Sequence, residues 1–546
     1  MPTENQLEAK MNIIERDNSL GKTVVPKKVA LIAAPWLFFN EVEFRSQQIG
    51  LGYIGAYAKQ FGHQIVAFID PMLQNGHLVK QPVQTKLQLT NRFGHSDDWI
   101  VSQIPKDVDV IGVNAPFTDS RLAVYPMIDA IKRAFPNVPI VVGGVLATTL
   151  SLQVLKECKA DIVIRGEGEV AFSRILNGDL LQEIPGLAFR KEDGTIFVHP
   201  QRSEQLRTID DIPQPGYDFR PMQEYVMWSP RGDKADRTLS LISSRGCPFT
   251  CEFCSIPEKG QRWRPFTPER VLQEIQMMIE KFGVNHIEFE DDNFTLQEPR
   301  ALAVLQHLAN LRRKGHRFSC SFPNGIMIDK MTSSLAELLV QAGADIVYLP
   351  VESGDTRVLM SMDKPVAEHH LAKTLEVSKW CVDAGLRVSC FFIVAYPGGR
   401  LNPRHVKSPT VTSEYGKYLI EDGKDVYMRG EDEQSFETTV KFCKKLLALG
   451  VHGITPLIAT PYPGTEMYEV CEKFGWLAFK DARDVLTTVS YAAVNPGRVQ
   501  LSTPWCSQQE AFERWQGMMD LFPTFHNVRK AEDKTELLKG EELRRY

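Results

Sequence analysis

The segment Ser243-Ser-Arg-Gly-Cys247-Pro-Phe-Thr-Cys251-Glu-Phe-Cys254-Ser-Ile-Pro257 follows directly on the apolar run Thr238-Leu-Ser-Leu-Ile242 and presents three cysteines as C-x3-C-x2-C. Thiolates this close in one loop can all point at one centre. A cubane cluster has four irons, so three protein ligands leave one iron open to a substrate or cosubstrate. The bland alternative is structural zinc, which takes four tetrahedral ligands, usually from two C-x2-C-like pairs. The chain has no second such pair and no His-x3–5-His. Of its ten cysteines, the other seven (Cys158, Cys320, Cys381, Cys390, Cys443, Cys471 and Cys506) are scattered singly, which also argues against a disulfide scaffold.

Downstream of this loop, apolar runs recur at 286–291, 317–322, 345–352, 386–397 and 452–459. Between them lie stretches such as Pro268–Gly283 and Ser333–Gly343, where apolar residues return every three or four positions. Six strand–helix units without a second sheet pattern predict a partial, TIM-like (β/α)6 barrel over 238–479, whose working face is the C-terminal ends of the strands.

Upstream, strands are predicted at 28–34, 64–70, 109–115, 139–144 and 161–166, alternating with helices, which indicates a doubly wound, Rossmann-like α/β domain over 28–200. A hairpin turning at Glu192-Asp-Gly194 and a proline-marked linker at 201–237 close it. Residues 1–27 read as a flexible arm, and 480–546 as a small, mainly helical C-terminal region or cap containing the amphipathic stretch 510–522. In such open sheets ligands sit beyond the carboxyl ends of the strands. Those ends carry Asn114-Ala-Pro, Gly143-Gly144-Val-Leu-Ala147-Thr148 and Arg165-Gly166-Glu167-Gly168-Glu169, which would let a flat, bulky ligand approach the backbone.

Bulk properties set limits. At 546 residues the chain suggests two or three domains. With 43% hydrophobic and 24% charged residues and a formal charge of −5, it is an ordinary globular chain, and on charge grounds no nucleic-acid partner is expected. A polar start without an apolar h-region, and no run near the ~18 apolar residues of a membrane helix, predict a cytoplasmic protein with no membrane partner.

The motif C-x3-C-x-φ-C, with Phe253 as the aromatic φ, on the first loop of a six-unit barrel resembles the radical S-adenosylmethionine (AdoMet) superfamily. The resemblance implies a [4Fe–4S] cluster on Cys247, Cys251 and Cys254, whose open iron chelates AdoMet and whose electron breaks a carbon–sulfur bond to give a 5′-deoxyadenosyl radical. It also implies AdoMet contacts from Phe253, from Asp292 and Asn293 after strand two, from Asn324 after strand three, and from Glu352 and Ser353 after strand four. On chemistry alone, Glu352 can accept from ribose hydroxyls, and Asn293 and Asn324 can donate to a carboxylate.

The segments Ile49-Gly-Leu-Gly-Tyr53, Val142–Thr148 and Ile164–Glu169 make the chain from 28 to 480 similar to the cobalamin-binding members of that superfamily. Implied cobalamin contacts are Asn114, Gly143, Gly144, Gly166, Glu167 and Gly168. The chain lacks D-x-H-x-x-G, so the cofactor is expected base-off with no histidine on cobalt, and Asn114–Arg121 is the loop expected near its lower face. His63 reads as a turn or surface residue. A Rossmann nucleotide site would need G-x-G-x-x-G after strand one, where Ala33-Ala-Pro-Trp36 stands instead.

The implied activity is a cobalamin-dependent methyltransferase acting on a small-molecule substrate, at an unactivated carbon or a phosphinate phosphorus, with flavodoxin or ferredoxin as electron donor. A non-methylating oxidative cyclase or ring-rearranging enzyme would use the same cofactors. A methylthiotransferase would need a second cluster from three N-terminal cysteines, and only Cys158 precedes the barrel. A sensor that merely binds the cofactors has no use for an oxygen-labile cluster. The polar stretch 400–432 is an insertion after strand five, to be read as a substrate lid or as surface decoration.

Overall fold

Strand β1, Lys28–Ala33, is apolar from Val29 on, and Val29 to Ala34 are completely buried, the signature of a central strand covered on both faces. In the computed structural model, which describes residues 24–38, 47–73, 80–84, 89–226, 237–256, 262–365, 367–403, 409–479, 497 and 499–522, β1 pairs in parallel with β2 (Gln64–Ile69) and β3 (Val110–Asn114). Strands β4 (Ile140–Gly143) and β5 (Ile162–Ile164) continue the parallel set. The expected hairpin, β6 (Leu187–Arg190) and β7 (Ile196–Val198), adds antiparallel strands at one edge, with Gly194 at φ +81° in its turn. The order is β7-β6-β5-β4-β3-β1-β2. Its parallel part runs 2-1-3-4-5, so the direction of winding reverses between β1 and β3, and the ligand crevice of such a sheet opens at their carboxyl ends.

The second sheet system comprises β8 (Thr238–Leu241), β9 (His286–Phe289) and β10 (Ser319–Ser321), then β11 (Ile346–Glu352), β12 (Arg387–Val394) and β13 (Gly453–Ile458), all parallel. A parallel bridge between Cys320 and Ala344 joins the two halves, giving six strands in chain order. The helices obey local rules. Helix α1, Pro268–Phe282, starts with proline at its first position, is capped by the Thr267 hydroxyl accepting from the Arg270 N–H, and stops at Gly283 with φ +63°. No helix among the described residues is long and apolar enough to cross a membrane.

The two units share a core: Ile49, Tyr53 and Leu73 of the first pack within the hydrophobic cluster of the barrel. On the other side Tyr462, from the loop after β13, packs on the core of the first sheet, and a Cβ on nearby Gly464 would stand 2.8 Å from Thr149. Loops at the carboxyl ends of both strand sets thus meet.

The structure adds elements that the sequence pattern did not disclose. Trp36–Phe38, Leu89–Phe93 and Lys80–Gln84 form a small antiparallel sheet from the chain that follows β1 and β2. Within the insertion, Gly398–Arg400, Asp425–Arg429 and Leu419–Asp422 form another. Its last strand segment is held to the barrel flank by buried Arg357, which donates to the carbonyls of Arg429 and Gly430 at 2.5 and 2.7 Å and pairs with Asp432 at 3.3 Å. Of the terminal regions, the arm is described only from residue 24, and the C-terminal region at 497 and 499–522, where the helix Gln508–Leu521 lies.

Fully buried Glu431 closes this insertion. It accepts the Ala395 N–H at 2.7 Å, holding Ala395 at φ +59° after β12, and faces Arg514 of the C-terminal helix at 3.6 Å. Burial outweighs both contacts and pushes its carboxyl up to about 7. A carboxyl raised in the folded state is stabilising only while protonated. Stability should therefore fall as pH rises from the unfolded pKa near 4.5 to about 7, at up to ~1.4 kcal/mol per pH unit, then level off. Glu431→Gln should remove that part of the slope in urea unfolding from pH 5 to 7.5; an unchanged slope would refute the assignment.

Candidate functional site

The cluster loop leaves β8 pinned to the end of β9. The Ser243 N–H and hydroxyl donate to buried Asp291 at 3.0 and 2.8 Å, the Ser244 hydroxyl also donates to it, and the Gly246 N–H donates to Asp292 at 3.2 Å. The seat of the β9 loop is apolar: Phe294 packs against Phe289 and Phe322 with ring centroids 5.1 and 4.7 Å away. Past this anchor, Cys247, Cys251 and Cys254 are half-buried, whereas the other seven cysteines are buried. Burial pushes the Cys251 thiol up to about 12, against the pull of Lys364, and Cys254 and Cys247 add to the rise. The three thiols thus lie near one another, and their thiolates would need cationic compensation of the kind iron supplies.

Among the described residues no group of three His, Cys, Asp or Glu side chains closes around a single metal ion.

The expected AdoMet residues fall into two kinds. Glu352 is 7% exposed, sits at φ +69° where the pairing of β11 with β12 slips a residue, and accepts from the Lys364 ammonium at 3.0 Å. Such a conformation is costly for a residue with a Cβ and concentrates at functional sites. Burial pushes the Cys247 thiol up, against a hydrogen bond from Asn293, whose Oδ1 is buried with no protein partner. Asp292 lies beside Cys247 as well. Asn324 is exposed and donates to the Asp291 carbonyl at 3.4 Å, and Phe253 is half-buried against the barrel core. Ser353, by contrast, is fully buried, its hydroxyl 3.3 Å from that of Thr439 and accepting the Asp355 N–H at 3.2 Å.

Lys364 was not singled out from sequence. A lysine is almost never buried unless paired, and this one, 9% exposed, is coupled to both Glu352 and Cys251. Its signal was a cation closing the apolar stretch Val358-Leu-Met-Ser-Met-Asp-Lys364. Gly399 lies in the short strand Gly398–Arg400. A Cβ there would stand 1.8 Å from the Glu252 carboxylate, between Cys251 and Phe253, so the insertion's first strand backs the cluster loop.

At the carboxyl edge of the first sheet, Gly144 has φ +101°, and a Cβ there would meet the Ala115 carbonyl at 2.4 Å and Asn114 Oδ1 at 2.7 Å. Only glycine lets these two loops touch. Gly143 and Gly50 instead face open space, with nothing within 4 Å of an added Cβ. Asn114 donates to Gln48 at 3.1 Å, and Gly166, at φ +108°, donates its N–H to Thr148 at 3.0 Å. Gly168 lets Ile54 of the helix Ile49–Gln60 approach, to 2.7 Å from an added Cβ. Phe117, on the loop expected near the lower face of cobalt, is 47% exposed and stands edge-on to Trp36 at 5.3 Å, so apolar ring surface is open beside the β1/β3 crevice. Open glycine faces and exposed aromatic surface fit a corrin.

Two groups stand otherwise than their sequence positions suggested. Glu167 is gripped across the domain boundary by Arg264, at 3.1 Å to one nitrogen and closer to the other, and neighbours Arg245 at 3.5 Å. His63 is buried rather than at the surface. It lies before β2, on the edge opposite the crevice, between the Lys27 N–H at 3.2 Å and Asn177 at 3.0 Å.

Comparison with known proteins agrees with this geometry. Residues 35–176 match the B12 binding domain and residues 241–403 the radical SAM superfamily. A protein of Pyrococcus horikoshii described as an uncharacterized methyltransferase is 30% identical over 389 residues, covering 69% of this chain and 73% of that one. Cytidylyl-2-hydroxyethylphosphonate methyltransferase of Streptomyces wedmorensis is 27% identical, covering 68% and 73%. An anaerobic magnesium-protoporphyrin IX monomethyl ester cyclase of Synechocystis is 27% identical over 43% of each chain. In fold, the chain is similar to the radical S-adenosylmethionine methyltransferase TsrM of Kitasatospora setae, solved with cobalamin and a [4Fe–4S] cluster, with a TM-score of 0.57, 15% identity, and 82% and 75% coverage.

Proposed function

The chain belongs to the cobalamin-binding radical AdoMet methyltransferase family, and we propose that it methylates an unactivated carbon, or a phosphinate phosphorus, of a small-molecule substrate. When bound, the cluster with AdoMet supplies a carbon-centred radical, and the cobalamin carries the methyl group. The observation that supports this reading most is the meeting of the two carboxyl strand edges, Arg245 reaching Glu169 at 2.8 Å on one side and Gly464 touching Thr149 on the other. Two cofactors, one on each edge, would share one enclosed space.

The protein's own contribution is to bind, orient and exclude water. Cys247, Cys251 and Cys254 hold the cluster. Lys364, fixed by Glu352, offers its cation to the methionyl carboxylate, and Glu352 keeps an oxygen for the ribose. Asn293, with an idle buried acceptor beside Cys247, orients the amino group of the cosubstrate. Asp292 and Asn324 line the same strand ends. On the other edge, Gly143 and Gly50 would admit the corrin, with Gly144, Gly166 and Gly168 shaping the loops, and Phe117 would offer it an exposed ring.

The test is anaerobic reconstitution with iron, sulfide and hydroxocobalamin. Bound cobalamin should give a base-off absorption spectrum, and His63→Ala should leave it unchanged. AdoMet with dithionite should yield both S-adenosylhomocysteine and deoxyadenosine. Deoxyadenosine without S-adenosylhomocysteine would favour the cyclase reading, which the partial match to the Synechocystis cyclase recommends as the second choice. Failure to take up cobalamin would refute both.

A further inference from the structure

We propose that Arg245 is a positioning residue that fixes the cluster loop against the cobalamin-bearing sheet edge and so sets how the two cofactors face each other, an inference that rests on the function proposed above. Arg245 stands two residues before Cys247. Its guanidinium donates to Glu169 at 2.8 Å, lies 3.5 Å from Glu167, and covers the Tyr53 ring at 4.7 Å from the centroid. Directly across a two-residue antiparallel ribbon stands Arg264, which forks onto Glu167 and donates to the Leu206 carbonyl at 2.9 Å. Two arginines facing each other across this ribbon thus grip two glutamates where the loop after β5 enters its helix.

The same loop carries Gly166, bonded to Thr148, and Gly168, packed on Ile54. On its far side Arg245 continues into Gly246, bonded to Asp292. One side chain therefore connects the glycine loops of the first sheet to the anchored end of the cluster loop.

Stability gives no reason for this arrangement. The four side chains are 13% exposed or less, and burying charges is repaid only by close pairing, so apolar packing of equal volume would serve the fold as well or better. What ions add over apolar contact is direction: a forked guanidinium holds its partners at one distance and angle. Reaction between two separately bound groups is sensitive to that, since a misplacement near 1 Å costs about a hundredfold.

The test compares Arg245→Met with the double variant Arg245→Met/Glu169→Gln, in which the carboxylate orphaned by the first change is neutralised and folding recovers. In cofactor-free protein, amide exchange at 166–169 and 244–247 should quicken about tenfold in both variants. With cluster and cobalamin loaded to wild-type content, the magnetic interaction between cob(II)alamin and the reduced cluster should broaden or weaken in both. With AdoMet and dithionite, methylcobalamin formed per deoxyadenosine should fall about tenfold or more, deoxyadenosine itself changing by about twofold at most.

A purely structural Arg245 would lower every readout in proportion to cofactor content and would be rescued in the double variant; that rescue, or unchanged exchange and magnetic interaction, overturns the proposal. If the wild type takes up no cobalamin, the functional reading fails, and the exchange result, which needs no cofactor, still decides whether the arginine locks the two edges.

Discussion

Replacing Cys251 by alanine is expected to abolish AdoMet cleavage, a loss of about a thousandfold or more, equivalent to at least ~4 kcal/mol of transition-state stabilisation. Cys251 lies between the other two ligands and is the thiol whose environment is best defined, with Cys247, Cys254 and the Lys364 cation all acting on it. Two thiolates cannot hold three corners of a cubane, so the cluster is lost rather than altered. Cys247→Ala and Cys254→Ala should behave alike. Iron and sulfide content and deoxyadenosine formation under dithionite measure the effect. Cys158→Ala, Cys381→Ala and Cys471→Ala, at buried positions outside the C-x3-C-x2-C segment, should keep full iron content. Deoxyadenosine production at the wild-type rate by any of the three loop variants would sink the assignment.

The second large effect is expected at Lys364. Its side chain and that of Glu352 are 11% and 9% exposed, and removing one member of such a buried pair costs ~3–5 kcal/mol, because the other charge is left without a partner. Lys364→Met should accordingly lower the stability of the barrel by that order and, in protein kept folded at low temperature, weaken AdoMet binding by about tenfold or more, since the cation for the methionyl carboxylate is gone. Lys364→Met/Glu352→Gln separates the two consequences: unfolding in urea should return most of the stability, whereas equilibrium binding of AdoMet should stay weak. Native affinity in the double variant would mean that the pair only supports the fold.

Much of this was legible locally. The run of completely buried residues from Val29 to Ala34, the Thr267–Pro268 start and Gly283 stop of α1, and the turn at Gly194 each follow from a few adjacent side chains. Such features depend on short-range sterics and on apolar periodicity, which are properties of the chain itself. The antiparallel sheets at 36–38/80–84/89–93 and 398–400/419–429 escaped notice because their strands are short and carry little alternation, so pairing partners rather than propensity form them.

The sequence by itself determined the order of the two folding units, and it named the residues proposed as cluster ligands and the carboxyl strand ends proposed as the place for chemistry, because spacing, period and strand direction are written in consecutive residues. Only the tertiary structure decided which polar groups at those ends remain for ligands. Glu167 and Glu169 became the counter-ions of Arg264 and Arg245, Ser353 was taken up by Thr439, and Lys364 was drawn in beside Cys251 to meet Glu352. The reason is physical: a buried charge or hydroxyl must find a partner, and those partners lie up to 97 positions away in the chain, where no local pattern can name them.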